Sequence, residues 1–290
     1  MLARTLMTCA LALGFAAGCA GGDDDSADDP LLAKSSFKAV VTSELRKAGL
    51  EAEGGFGARV VVTEELDRVE VVLDEPFAEY RSEPDRRAEI LAALVAETKR
   101  RLDEGVSGLS FAEARDSLMP LLKPRFAVRR LEEEPVQTGF LANLVVVYAV
   151  EREHDFALVG RDDARDWGVA PRELHRIALD NLLRRTNAEE KLLCEPSDGQ
   201  ELCGWASGDG YDATRMIVPG LRRQIESEIG RAVYAVPMEN VFIALPYDVA
   251  THENTVEALR TKVLHDFTVA KNPVSPKLFA VQGGRLVLLS

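Results

Sequence analysis

Residues 143–151, NLVVVYAVE, are the stretch of sequence that decides the fold. They are apolar on both faces of a strand, a pattern that predicts a central strand covered on both sides. Residues 156–160 are expected to pair beside this strand. A sheet buried on two faces needs helices to cover it, so the flanking sequence decides which fold class is possible.

Outward from this strand, helical patterns alternate with pairs of short strands. Apolar residues recur at helical spacing in 36–50, 85–104, 171–185, 219–230 and 251–267, and a shorter helix is predicted at 111–118, before two prolines. Strand pairs are predicted at 59–63 with 68–73, 232–236 with 241–245, and 278–281 with 285–289. The sequence therefore predicts an α+β fold of repeated helix-strand-strand units, with antiparallel or mixed sheets and helices packed on a face.

Composition and one proline-rich segment suggest how the chain is divided. Prolines interrupt residues 120–135, so we predict an N-terminal α+β subdomain at 36–125 and a C-terminal α+β domain at 126–290. The chain is 46% apolar, which is enough for an ordinary core. Its net charge of −13 repels phosphate backbones, so nucleic acid is not an expected partner.

Residues 1–18 have the pattern of a lipoprotein signal peptide. A positive start with Arg4 precedes the apolar run 6–17, and Ala16-Ala17-Gly18 leads into Cys19 as in a bacterial lipobox. Residues 20–30, AGGDDDSADDP, have no apolar stripe, so 19–35 is predicted to be a disordered tether. We expect an extracytoplasmic protein anchored through lipid on Cys19, on the periplasmic side of the outer membrane in a Gram-negative cell. Ordinary signal cleavage nearby is the alternative.

Cys194 and Cys203 flank a turn-rich segment, EPSDGQEL. Asp198-Gly199 is a strong hairpin signal, which would place the two cysteines opposite each other on paired strands, at a separation that suits a disulfide. Metal binding and thiol redox chemistry are the competing interpretations. Neither a second Cys or His pair at ligand spacing nor a C-x-x-C motif accompanies them. We therefore predict a structural disulfide and an oxidising compartment.

Residues 208–215, GDGYDATR, are the best candidate for a binding loop. Glycines would let the loop present its backbone N–H groups, the Tyr211 hydroxyl and the Arg215 guanidinium to an anionic group. An aromatic surface nearby could stack on a ligand. The candidate binding residues are Trp205, Asp209, Gly210, Tyr211, Asp212 and Arg215.

The same loop also has a structural interpretation. Gly208 and Gly210 would permit a tight turn, Asp212 would cap the short helix before Pro219, and Arg215 would pair with a carboxylate. Caps and turns are commoner than binding sites, and both interpretations stay open at this point.

Three segments resemble a known bacterial family. They are DGYDATRMI at 209–217, VYAVPMENVFIAL at 233–245 and LFAVQGGRLVLL at 278–289, and they are similar to the YtpQ-like family, domain of unknown function 1444. The similarity runs from about residue 36 to the C terminus. The family's clearest motif falls on Asp209, Gly210, Tyr211, Asp212 and Arg215, with Thr214 where serine is common.

The resemblance implies a shared fold and supplies no activity. Familiar members of the family look cytoplasmic, whereas this chain has a leader and a cysteine pair. A cytoplasmic role is therefore not implied for it.

No strong catalytic motif is present: the sequence has no G-x-S-x-G, H-E-x-x-H or Walker loop. None of the histidines has a second ligand at helical spacing; they are His154, His175, His252 and His265. We therefore predict no metal site and no cofactor. The expected function is a non-catalytic binding or assembly module of the cell envelope, with a possible envelope protein partner and membrane contact through the lipid only.

Two alternatives to this function remain. The first is an envelope hydrolase or transferase that uses Asp209, Asp212 and Glu239 with a histidine, because paired carboxylates can do acid–base work when their pKa values differ. The second is a purely structural envelope component. A deep pocket joining the 205–215 loop to other ionisable side chains would favour the enzyme. An Asp212 bonded to backbone would favour the binding module.

Overall fold

The structure, a computed structural model, describes residues 32–55, 57–189, 191–197, 200–205, 207–250 and 253–289. The predicted signal peptide, Cys19 and most of the predicted tether lie outside these residues. The described strands form two antiparallel sheets of seven and six strands. Helices accompany both sheets, so the fold is α+β, as the sequence predicts.

The elements are named here in chain order. To residue 151 they are α1 Lys34–Lys47, β1 Glu51–Gly54, β2 Arg59–Glu64, β3 Asp67–Val72, α2 Asp74–Ser82, α3 Arg87–Glu104, α4 Phe111–Ala114, β4 Leu118–Pro124, α5 Arg125–Val128, β5 Gln137–Gly139 and β6 Leu144–Glu151. The rest are β7 Asp155–Leu158, α6 Arg161–Asp166, α7 Pro171–Glu189, β8 Leu193–Ser197, β9 Gln200–Trp205, α8 Asp212–Arg215, α9 Pro219–Ile229, β10 Ala232–Ala235, β11 Phe242–Pro246, α10 Tyr247–Ala250, α11 Glu253–Val269, β12 Leu278–Gln282 and β13 Arg285–Leu288. Single 3₁₀ turns at Pro84–Arg86 and Arg115–Ser117 precede α3 and β4.

The chain forms two compact units, and neither is one continuous stretch. The described part of the N-terminal unit is 32–117 with 149–159, and that of the C-terminal unit is 118–148 with 160–289. Strand β6 contributes its first five residues, to Tyr148, to the C-terminal unit and the remainder to the N-terminal unit.

In the N-terminal unit, β1, β2, β3 and β7 lie in that order in the sheet. Alternate valines of β2 and β3 face the core, and Val60 and Val62 pair with Val71 and Val69. Helices α1 and α3 pack their apolar faces on these valines, with Phe37 of α1 completely buried. Each fully buried Val, Leu or Phe contributes about 1.5–3 kcal/mol through the hydrophobic effect.

In the C-terminal unit, the strands of the second sheet have the order β13-β12-β10-β11-β9-β8. One face is buried under α11, whose Val263 packs on Val233, Ala235 and Leu278. The aromatic rings of Trp205 and Phe242 stack with their centroids 5.6 Å apart. From α7 onwards, α7, α9 and α11 each come before a strand pair, and only the short helices α8 and α10 interrupt this helix-strand-strand order.

The helices predicted at 36–50, 85–104, 171–185, 219–230 and 251–267 are confirmed as α1, α3, α7, α9 and α11. Strand β1, EAEG, was not predicted because only Ala52 of it is buried and it lacks an apolar alternation. Three strands therefore follow α1, where the predicted repeat has two.

The helix predicted at 111–118 is confirmed in part: Phe111–Ala114 is α4, Arg115–Ser117 is a single 3₁₀ turn, and only Leu118 of the predicted range lies in a strand. Residues Leu118–Pro124 form β4, which is buried along its whole length although it contains two prolines. Proline has no N–H to give to a ladder, so a strand that contains it needs other partners for its backbone. Side chains supply them: Asn181 donates to the carbonyl of Leu118, and the amide of Leu122 donates to the Thr214 hydroxyl.

Candidate functional site

The loop that joins β9 to α8 turns back on itself. Gly208 and Gly210 have φ values of +74° and +85°, a region that glycine enters without steric cost. The amide of Tyr211 donates to Asp209 Oδ1 at 2.9 Å, which closes a local turn. The predicted tight turn is therefore present, and it brings Asp209 and Asp212 to the same side of the loop.

Arg215 lies at the centre of this turn and is completely buried. Its Nη2 donates to Asp209 Oδ2 at 2.6 Å and its Nη1 to Asp209 Oδ1 at 2.9 Å, a two-pronged contact. Nη1 also lies 2.7 Å from Asp212 Oδ1, and Nε donates to the Thr186 hydroxyl at 3.1 Å. The guanidinium is therefore hydrogen-bonded to side chains of its own unit, and it presents no surface to a ligand.

Asp212 is also completely buried, and its carboxylate stabilises the turn through hydrogen bonds. Its Oδ1 accepts from the amide and the hydroxyl of Ser207, and its Oδ2 accepts from the amide of Gly208 at 3.0 Å. Asp212 is the first residue of α8 and accepts from the residues before it, so it does not cap that helix in the way we predicted. We call Thr186, Ser207, Asp209, Asp212 and Arg215 the Arg215 cluster.

The cluster also fixes the ionisation of Asp209. Burial alone would raise the pKa of this carboxyl group. The hydrogen bond and charge of Arg215, with donors from Tyr211 and Ser207, outweigh burial, so the pKa of Asp209 lies below its ordinary value. Asp209 is therefore a carboxylate at neutral pH and holds no proton to give as a general acid.

The two aromatic candidates are buried as well. Trp205 is 2% exposed and is stacked on Phe242, while Tyr211 is 1% exposed with the Arg185 guanidinium 5.3 Å from its ring centroid. Neither ring offers a face to an outside molecule. Gly210 is half-buried, and a Cβ at this position would lie 3.8 Å from Glu239 Oε1.

Glu239, the third carboxylate of the proposed enzyme, has its own partner. Its Oε1 pairs with Lys123 Nζ at 2.9 Å, and its backbone carbonyl accepts from the amide of Ala213. Asp209 and Asp212 share the single cation Arg215, and Glu239 pairs with Lys123, so each of these carboxylates lies in an ion pair. Within the described part of the chain, no three His, Cys, Asp or Glu side chains converge as metal ligands would.

The histidines do not join this loop through any contact among the described residues. His175 Nδ1 lies 3.0 Å from the hydroxyl of Tyr148, which also bonds to Thr138. Burial lowers the pKa of His175 and raises that of Tyr148 to about 12, so both are neutral at pH 7. His265 is exposed on α11, His154 lies in the N-terminal unit, and His252 falls outside the described residues.

Strands β8 and β9 form the predicted cysteine hairpin. Cys194 and Cys203 are direct partners in the ladder and form a disulfide across it. The turn residues Asp198 and Gly199 lie outside the described residues. Next to Cys203, Gly204 lies against β11 so closely that a Cβ there would be 1.9 Å from the carbonyl oxygen of Phe242. A glycine within a strand is the sequence signal of such a close approach.

Sequence reasoning also missed a cleft of about 540 Å³ elsewhere in the C-terminal unit. It lies between β5 and the segment that runs from α6 to the start of α7. Gln137, Arg161 and Arg165 provide its polar groups, and Val136, Ala164 and Val169 part of its apolar wall. No motif or period connects these residues in the sequence. We call this cavity the cleft.

Comparison of the chain with protein-family models, with curated proteins and with solved structures finds no match in any of the three. A further observation bears on membrane contact. Of the helices in the described residues, none combines the length and the apolar composition that a membrane crossing requires.

Proposed function

We propose that this protein is a non-catalytic binding or assembly module of the bacterial cell envelope, anchored by lipid on Cys19. One observation carries the proposal, namely the disulfide between Cys194 and Cys203. Protein disulfides persist in oxidising compartments and are rare where thioredoxin and glutathione keep thiols reduced. The signal-like residues 1–18 and the lipobox cysteine agree with such a location.

The non-catalytic part of the proposal is supported by the Arg215 cluster. Asp209 and Asp212 neutralise Arg215, and Glu239 neutralises Lys123, so these carboxylates are committed to ion pairs. A general acid needs a proton at working pH, which the lowered pKa of Asp209 denies it. Asp212 is bonded to backbone amides, which is the arrangement expected of the binding module. The resemblance to the YtpQ-like family stays a prediction and adds no activity.

Lipid attachment and the redox state of the cysteines test the location together. In cells that express the full chain, radiolabelled palmitate should enter the protein and should not enter a Cys19→Ser variant. Cys194 and Cys203 should resist an alkylating reagent in intact cells until a reductant is added. Absence of palmitate from the wild-type chain, together with free alkylation of both thiols, would overturn the proposal.

Partner capture tests the binding role. The intact lipoprotein, solubilised from envelope extracts, should recover one partner reproducibly. A matched control is the Arg176→Gln variant, which changes an exposed arginine on α7 and should recover the same partner. Turnover of an envelope substrate by the wild type would contradict the non-catalytic role if it disappears in Asp209→Asn, Asp212→Asn or Glu239→Gln variants that remain folded.

A further inference from the structure

The cleft has the size and the position of a binding site. Its volume of about 540 Å³ falls in the range of about 300–1,000 Å³ that is typical of small-ligand pockets. Strand β5 pairs with β6, and a β-bridge from Pro135 to Gly160 holds the start of α6 beside the residues that precede β5. The cleft therefore lies next to a three-residue strand, the kind of element along which an extended chain can pair.

Gln137 supplies an acceptor that nothing in the described structure uses. Its Nε2 donates to Glu134 Oε1 at 3.2 Å, and because an ionised carboxylate only accepts, this contact fixes which end of the amide is the oxygen. Gln137 Oε1 is buried and has no hydrogen-bond partner among the described residues. An unsatisfied buried acceptor costs about 1–3 kcal/mol, so a ligand N–H that reached it would recover that energy.

The charges of the cleft favour an anion. Arg161 and Arg165 are among the residues that line it, and those residues include no carboxylate. The partners of these arginines, Glu134 and Asp162, lie outside the lining, and all four side chains are more than half exposed. Exposed ion pairs contribute about 0–1 kcal/mol, so either guanidinium can turn towards a ligand carboxylate at little cost.

We propose that the cleft binds the carboxyl-terminal end of an extended peptide. Gln137 Oε1, which is buried in the free protein, turns towards the cleft and accepts from the amide N–H of the last residue. The apolar side chain of that residue packs on Val136 and Val169, and its carboxylate binds Arg165 or Arg161. A peptide terminus offers these three features in a fixed order, and an N-acyl amino acid shares them. The inference does not depend on lipid attachment or on the envelope location.

Titration of the purified full chain with defined probes tests the ligand class. N-acetyl-leucine should bind with a dissociation constant on the order of 1 mM, as its few heavy atoms allow. N-acetyl-leucinamide, which lacks the carboxylate, should bind about tenfold more weakly, as expected when a charged hydrogen bond is lost. Equal binding of the acid and the amide, or no binding of the acid, would overturn the proposal.

A longer probe distinguishes a peptide terminus from a free N-acyl amino acid as the ligand. Acetyl-Ala-Ala-Leu should bind more tightly than N-acetyl-leucine if the edge of β5 holds a peptide. Equal affinity would restrict the ligand to a free N-acyl amino acid and would overturn the peptide assignment.

Variants of the lining residues test whether N-acetyl-leucine binds in the cleft. Gln137→Met should weaken N-acetyl-leucine about tenfold while the melting temperature stays the same or rises, because the unsatisfied oxygen is removed. Arg165→Gln with Arg161→Gln should abolish the preference for the acid over the amide. Arg176→Gln, which removes one exposed positive charge outside the cleft, is the matched control and should bind as the wild type does. Wild-type affinity in Gln137→Met would overturn the assignment.

Discussion

The Arg215 cluster and the cleft are made of similar residues and differ in what those residues face. Arg215 is completely buried and its charge is met by two carboxylates of the adjoining turn. Arg165, in the cleft, has a side chain 73% exposed, and the nearby Gln137 oxygen has no partner among the described residues. The comparison teaches that composition alone does not mark a site. A polar group is available to a ligand where the fold leaves it without a partner or gives it only a partner exposed to solvent.

The largest effect is expected at Arg215. An Arg215→Met variant leaves Asp209 and Asp212 facing each other without a cation, and breaking a buried pair in this way costs about 3–5 kcal/mol. Urea unfolding measures the loss. Arg176→Met, at an exposed pair on α7, is the control and should change the free energy of unfolding by less than about 0.5 kcal/mol. A loss below about 1 kcal/mol at Arg215 would mean that the cluster does not hold the turn.

The disulfide comes next. The Cys194→Ser, Cys203→Ser double variant loses a cross-link over nine residues, and the loop model gives a loss of about 2–3 kcal/mol. Reduction of the wild-type chain should give the same shift in the urea midpoint. Binding of N-acetyl-leucine should not change, because no residue of the hairpin lines the cleft. A loss of binding on reduction would show that the two regions are coupled.

The third effect depends on pH. Asp209→Asn removes the charge that Arg215 stabilises and should cost about 1–2 kcal/mol at pH 7. Since the folded-state pKa of Asp209 is lowered, its stabilisation is present above the unfolded value of about 3.9 and is lost as pH falls through the folded value.

Urea midpoints measured from pH 7 downwards check this prediction. The gap between wild type and Asp209→Asn should close in acid, and Asp180→Asn, at an exposed pair on α7, serves as the carboxylate control. A gap that stays constant across the range would contradict the role given to Asp209.

The smallest effect, and one of opposite sign, is expected in the cleft. Gln137→Met removes an acceptor that has no described partner, so the free energy of unfolding should stay the same or rise by up to about 1 kcal/mol. Thermal unfolding without ligand measures it. A clear loss of stability would mean that Gln137 is structural in the way that Arg215 is, and the contrast between the two regions would disappear.

Features that depend on neighbours in sequence could be predicted. The apolar period of α1, α3 and α11 indicated helices, and Gly208 and Gly210 indicated a turn. The cysteine pair was predictable for the same reason, because a short turn decides which residues face each other.

Features that depend on distant partners could not be predicted. Strand β4 was not predicted, because its two prolines indicated a break and its backbone is completed by Asn181 and Thr214, far along the chain. The loop sequence allowed Arg215 to bind a ligand or a carboxylate, and burial decided between the two. The cleft depends on an acceptor left over after folding, for which no sequence pattern exists.

The cysteine hairpin has one more consequence, for association between copies of the chain. Strand β8 is the last strand of its sheet, and half-exposed Leu193 lies on it. Terminal strands of this kind are where polypeptides exchange elements or stack into aggregates. The disulfide to β9 keeps β8 from detaching from its sheet and being exchanged with another copy of the chain. The disulfide thus holds β8 in the sheet of its own chain, and reduction removes that restraint on strand exchange.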